Sequence, residues 1–278
     1  MRVVRLGLAR GGIELRQAFT YWPDLVQTLV FSGISVLVLF LLRGHHVPGT
    51  TFSLGSLTLP SLVGMNLAFS GVVGVAALLS TDREDGTLLR AKATPGGMMA
   101  YVIGKITFVA VTSLVGLILL LTLGPLAFPG VSMTALGWLT AVWVVVLGLL
   151  AAIPIGITLG SLLPNPRYMA LVMLPVGALT AISGIFYPIT HLPGWMQGVG
   201  QLFPMYWVGL GMRSALLPPS LAAVEIDGSW RHWLVFGVLA AWAVAGLLAA
   251  PPVLRRMARR ESGSRVAARR EQALLRTR

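Results

Sequence analysis

Six ionisable side chains, Asp82, Arg83, Glu84, Asp85, Arg90 and Lys92, crowd into eleven positions of the stretch STDREDGTLLRAKATPGG, Ser80 to Gly97, while only 11% of the 278-residue chain is charged. The other groups able to do chemistry are scattered. His45, His46, His191 and His232, gathered with Glu225 and Asp227, could hold a metal ion, but no spacing among them matches a ligand pattern and none is expected. There is no cysteine for a disulfide or a thiolate site. GGMMAYVIGK ends in Gly-Lys, as a phosphate-binding loop does, yet its glycine spacing is wrong and Ile106 stands where that loop needs a hydroxyl. A membrane-embedded enzyme acting on lipid-linked substrates would need a nucleophile, base or metal set at membrane depth, and none is evident. No catalytic residue and no cofactor are expected in this chain.

The elements that would carry these residues are membrane helices. The chain is 56% hydrophobic with a mean hydropathy of +0.82, and its apolar runs are long and continuous rather than the short alternating segments of a β-barrel. Crossing ~30 Å of hydrocarbon takes ~20 apolar residues in a helix. Six segments qualify, at about 23–42, 59–80, 102–123, 135–160, 168–189 and 232–253. Gly124 to Met133, GPLAFPGVSM, supplies the turn between the third and fourth. The expected fold is therefore all-α: an N-terminal segment 1–22, a six-span domain 23–254 and a basic tail 255–278. No cleavable secretory leader is expected, because charges are scattered through the first twenty positions.

Lys and Arg collect on the cytoplasmic side of membrane proteins. With both termini inside, the inner face holds eighteen of the 21 basic residues, leaving Arg43, Arg213 and Arg231 outside. The net charge of +12 is then topology rather than a nucleic-acid surface. The Arg-rich tail after the sixth span suits anionic lipid. No ionisable group is placed near a span centre, which argues against a proton- or ion-coupled carrier; transport surviving loss of the proton gradient but failing without ATP would exclude one.

Ser80–Gly97 falls between the second and third spans, on the inner face. In one register Thr81 and Glu84 form a capping box, with acids leading and bases trailing to suit the helix dipole. In a second register Gly86 breaks the chain and Thr87 caps a shorter helix, Leu88 to Ala93. Either helix exposes Leu88 and Leu89 as apolar knobs among charges. A solvated positive-inside loop is the alternative, but three acids add little to topology and paired exposed leucines suit a partner.

DREDGTLLRAKATPGGMMAYVIGK resembles the loop of bacterial ABC-2 type transporter permeases, in which a Glu, a Gly-Thr-Leu and a Thr-Pro precede a Gly-Lys opening the third span. SGIFYPITHLPGWMQGVGQLFPMYWVGLGMRSAL, Ser183 to Leu216, is similar to that family's outer segment, where two short helices dip into the outer leaflet. The resemblance implies the membrane subunit of an exporter of drugs, antibiotics, lipids or lipid-linked glycans in the bacterial inner membrane. It also implies two copies of a separate ATP-binding subunit, which hold the ATP and Mg, and a second permease copy or relative. The short inner helix would be a coupling helix docked on the ATPase, with Glu84, Asp85, Gly86, Thr87, Leu88, Leu89, Arg90 and Pro95 at the contact.

Leu8, Leu15, Phe19 and Trp22 share one face of an N-terminal amphipathic helix, weakened at Gly11-Gly12, that lies on the inner leaflet. It anchors to lipid or, as the resemblance implies, touches the ATPase as well. Asn66, Ser70 and Gly74 recur at intervals of four in the second span, Gly156 and Gly160 in the fourth, and Thr180 and Ser183 lie in the fifth. Such small, polar faces serve helix packing or line a substrate path.

Overall fold

Long runs of Leu, Val, Ala and Ile without interior charge bond their backbone only within helices. The computed structural model describes residues 2–20, 33–35, 37–42, 44–45, 53–127, 134–163 and 166–260, and every element among them is helical. We number the main helices α1 Arg2–Thr20, α2 Gly33–Leu42, α3 Leu54–Glu84, α4 Thr87–Lys92 and α5 Gly97–Ala127. They continue as α6 Ala135–Leu162, α7 Ala170–Ile182, α8 Gly194–Leu202, α9 Pro204–Leu216 and α10 His232–Arg260.

Four of these, α3, α5, α6 and α10, are long and apolar enough to cross a membrane. They correspond to the second, third, fourth and sixth expected spans. The first half of the first span lies outside the described residues, as do Trp22, Arg43, His46, the segment 128–133 and the tail beyond 260. The fifth expected span is present as a shorter apolar helix, Arg167–Ile182. α7 has 13 residues and stops at Ile182, reaching about 20 Å. Gly184, at φ 63, then turns the chain well before the expected end at 189.

The centre of the molecule is α3 against α6, with α9 wedged beside both. Glycine makes this possible. A Cβ on Gly64 of α3 would sit 2.9 Å from Gly209 Cα in α9, and one on Gly148 of α6 would sit 2.9 Å from the Val208 side chain. α9 runs antiparallel to α6: its Val208 lies against Gly148, thirteen residues or about 20 Å into that helix, while Ala215 lies against Gly137 near the helix start. α9 therefore runs back through the bundle, while α8 lies largely exposed beside it. Both short helices expected between the last two spans are present, and α9 is buried along nearly its whole length. Lower in the bundle Gly160 of α6 meets Ala76 of α3, where a Cβ would lie 2.8 Å from the Ala76 Cα. The Gly156/Gly160 pattern thus serves α3–α6 packing.

α1 is continuous through Gly11-Gly12, and Gly11 belongs to its docking face rather than to a weak point. Gly7 and Gly11 are its buried residues, pressed on Ile103 and on Gly104 and Thr107 of α5. Leu8 and Phe19 remain exposed.

Candidate functional site

At one end of the bundle, α3 runs through Thr81 to Glu84 without a break. The Thr81 hydroxyl donates to the Ala77 carbonyl at 3.1 Å, deep in a helical turn, so it cannot cap a helix start and the capping-box register is wrong. Gly86 makes the break, at φ 77, a backbone region open to glycine at little cost. α4 follows as the second register expects, except that the cap comes from Asp85: its carboxylate accepts the Thr87 N–H at 2.7 Å. Thr87 Oγ1 instead accepts from Arg90 Nη2 at 2.8 Å.

α4 does not expose both leucines. Leu88 is 1% exposed and, with Ala91, forms the face packed on the bundle. Leu89, Glu84 and Thr87 are half-buried, Gly86 is buried, and Asp85, Arg90 and Pro95 are exposed. A six-residue helix flanked by α3 and α5 has only one face to give the core, and Leu88 with Ala91 three positions on fills it. The exposed face of α4 is therefore polar.

Beneath α4 lies a charge network that sequence reasoning missed. Asp82 is buried and accepts from the Tyr101 hydroxyl at 2.7 Å. Lys105 Nζ lies 2.9 Å from Asp82 and 2.9 Å from Glu14, and Arg10 Nε donates to Glu14 at 3.1 Å. The Arg10 guanidinium stands 4.9 Å over the Tyr101 ring. Three helices, α1, α3 and α5, are thereby joined by alternating charge. The available signal was spacing: Arg10 with Glu14, and Tyr101 with Lys105, are each four apart and so share a helix face. Arg83 adds a fourth helix, donating to the Ser161 and Leu163 carbonyls at 3.1 and 2.8 Å and so capping the end of α6. A cleft of about 700 Å³ opens between α1 and this group, lined by Arg10, Glu14, Asp85 and Arg90 and by Ile13 and Leu78.

Of the small polar residues, Asn66 and Ser70 are half-buried on one side of α3, with Leu67, Ala68, Val72 and Val73 buried beside them. Ser70–Gly74 is a π-helical turn. In an α-helix each step of four residues drifts by about 40°. The extra residue of the π-turn offsets that drift, keeping Asn66, Ser70, Gly74 and Leu78 on one accessible stripe that ends in the cleft. Thr180 and Ser183 lie elsewhere. They are 8% and 0% exposed, and their hydroxyls donate to the Val176 and Leu179 carbonyls at 2.8 and 2.5 Å.

At the opposite end Arg213 of α9 is fully buried, and its guanidinium grips Glu225 with two bonds, 2.7 Å from Nε to Oε1 and 3.3 Å from Nη2 to Oε2. This buried ion pair sits on α9, one of the two short helices expected in the outer segment, where Arg213 was counted only as an outer-side base. Glu225 is thus unavailable to a metal. His45, His191 and His232 are exposed, and no group among the described residues could hold a metal ion.

Four helices long and apolar enough to cross a membrane mark a multi-pass membrane protein. Residues 44–250 match the profile of the ABC-2 family transporter protein, and the chain belongs to that family. It is the permease, the membrane subunit of an ABC transporter, not itself catalytic, in a family whose members work with an ATP-binding subunit. No curated protein matches the chain.

Proposed function

We propose that this permease is half of the membrane part of an ATP-driven exporter in the bacterial inner membrane, with both termini cytoplasmic. A second copy or relative and two ATP-binding subunits complete it. The observation that carries this reading is α4: a short polar-faced helix joined to the 31-residue α3 through Asp85 and Gly86 alone and keyed into α5 by Leu88. It is the coupling helix. ATP and Mg on the partner draw the two ATPases together, α4 is displaced, and the network of Asp82, Lys105, Glu14 and Arg10 carries the displacement to α1, α3 and α5 as a body. The bundle passes between inward- and outward-facing states, the partner biasing the equilibrium.

The cargo is hydrophobic or amphipathic: a drug or antibiotic, a lipid or a lipid-linked glycan. The stripe Asn66, Ser70, Gly74, Leu78 supports a path along α3, because it is accessible and leads from the cleft into the bundle. The contact with the ATPase is carried by Glu84, Asp85, Thr87, Leu89, Arg90 and Pro95, with Gly86 and Leu88 holding the helix in place.

The test is co-purification of the ATPase with the full chain. Arg90→Glu combined with Lys92→Glu reverses charge on the exposed face of α4 and should release the ATPase while leaving overall helical content unchanged, with the Arg90–Thr87 bond lost. Retention of a fully stimulated ATPase by that variant would move the coupling role to another loop.

A further inference from the structure

Arg213 does more than meet Glu225. Its Nη1 also donates to the Ser61 hydroxyl at 2.8 Å and to the Gly184 carbonyl at 3.1 Å. One guanidinium therefore joins α3, the turn after α7, α9 and the 219–228 segment. Ser61 donates its own proton to the Leu57 carbonyl at 3.2 Å, which leaves its oxygen to accept from Arg213. Stability alone is a weak reason for such a cluster. A buried ion pair is often matched or bettered by apolar residues of similar volume, and α9 is already held against α3 and α6 by glycine contacts.

The bonds are unequal. The two to Glu225 are charge-assisted at both ends, whereas those to Ser61 and Gly184 meet neutral acceptors and are the weaker. Under load the guanidinium stays with Glu225 and parts from α3. One turn away on α3, Thr58 is 0% exposed and its Oγ1 has no hydrogen-bond partner. Residues three apart share a helix face, so Thr58 stands beside Ser61. Among the described residues Thr58 Oγ1 is one of four such buried atoms, with Ser80 Oγ, Ser113 Oγ and Arg231 Nε, and of these it is the one a single turn from Ser61.

We propose that Arg213 is a two-position latch between α3 and α9, engaged with Ser61 in this state and with Thr58 in the other. The step is one helical turn, about 4.5 Å for three residues, shared between movement of α3 and swing of the Arg213 arm. α3 is the right element to receive it. It runs unbroken from Ser61 to Glu84 and joins α4 directly, so a pull on α4 arrives at Ser61. The direction fits: Thr58 replaces Ser61 when α3 moves toward its α4 end. That the pull comes from an ATPase rests on the proposed function; the latch itself does not.

The chain has no native cysteine, which makes Ser56→Cys, a near-isosteric probe at a residue 2% exposed on α3, a clean reporter. The measurement is its maleimide modification rate in the full chain with its co-purified ATPase, in liposomes. Without nucleotide, Ser61→Ala should shift the rate by about tenfold, since a bond to a charged donor is lost, whereas Thr58→Val should leave it at the parent value. Thr58→Val should also leave the thermal midpoint equal or higher, because it removes an unsatisfied buried hydroxyl. With ATP bound, the parent should move toward the Ser61→Ala rate and Thr58→Val should not. An unchanged rate in Ser61→Ala, or equal shifts in both variants, would overturn the latch. A parent rate indifferent to ATP, with the Ser61→Ala and Thr58→Val difference intact, would overturn the ATPase reading and leave the latch standing.

Discussion

Single residues settle which contacts can be broken safely. Lys105 lies between Asp82 and Glu14, 2.9 Å from each. Lys105→Met leaves two carboxylates facing each other at the wall of the cleft, and unfolding in detergent should show a loss of about 1–3 kcal/mol. Adding Asp82→Asn should restore part of it. At the other end Arg213→Met alone strands a buried Glu225 and should destabilise by about 3–5 kcal/mol. Arg213→Met with Glu225→Met should cost less than the single change, and a double variant equal to the sum would contradict a coupled pair. At this scale the sequence was least legible. Asp82 read as a loop charge and Lys105 as a topology charge because their partners lie on other helices, and Arg213 read only as one of three outer-side bases. Leu88 misled for the opposite reason: flanked by charges, it gave no sign that α4 turns it inward.

The elements respond to backbone approach more than to composition. Gly64 and Gly209 let α3 and α9 touch backbone to backbone, so Gly64→Ala should lower the thermal midpoint of the purified chain. Gly177 of α7 has nothing within 4 Å of its would-be Cβ, and Gly177→Ala should raise the midpoint, by about 0.5–1 kcal/mol of stability. Gly86→Ala places a side chain at φ 77 and should cost about 1–2 kcal/mol, with ATPase coupling lost before folding is. Helix positions were largely readable: α3, α5, α6 and α10 match apolar runs, and the break at Gly86 was one of two registers the residues allowed. α7 was not, since the apolar stretch Ile185–Ile189 continues past the turn at Gly184 and hydropathy cannot see a positive φ.

In the whole molecule the crossings are unequally buried: 61% of the membrane window of α3 is covered by the chain itself, against 22% for α5 and for α10. Trp233, Leu248, Leu136 and Leu174 project from the outside of the bundle, as suits lipid or a neighbouring subunit. The permease therefore has an interior helix, α3, that touches α4 at one end, α9 near the other and the centre alike. Family membership and the all-helical class were legible from two motifs because those motifs sit where α4 and α8–α9 are built. Cargo was not, since small faces fit many apolar molecules.

The π-turn at Ser70–Gly74 has one more implication, for how this chain tolerates change in length. It lies between Ser61, which meets Arg213, and Asp82, which meets Lys105. Removing a single residue there would convert the turn to ordinary α-helix and leave the two ends in phase, because the wide turn already absorbs its extra residue. A single deletion elsewhere between Ser61 and Asp82 would swing one end of α3 by about 100° against the other. Both charged partners could then not be met at once. Span two is thus a phased shaft, in which a one-residue deletion outside the π-turn acts as a rotation and should be tolerated far less than one within Ser70–Gly74.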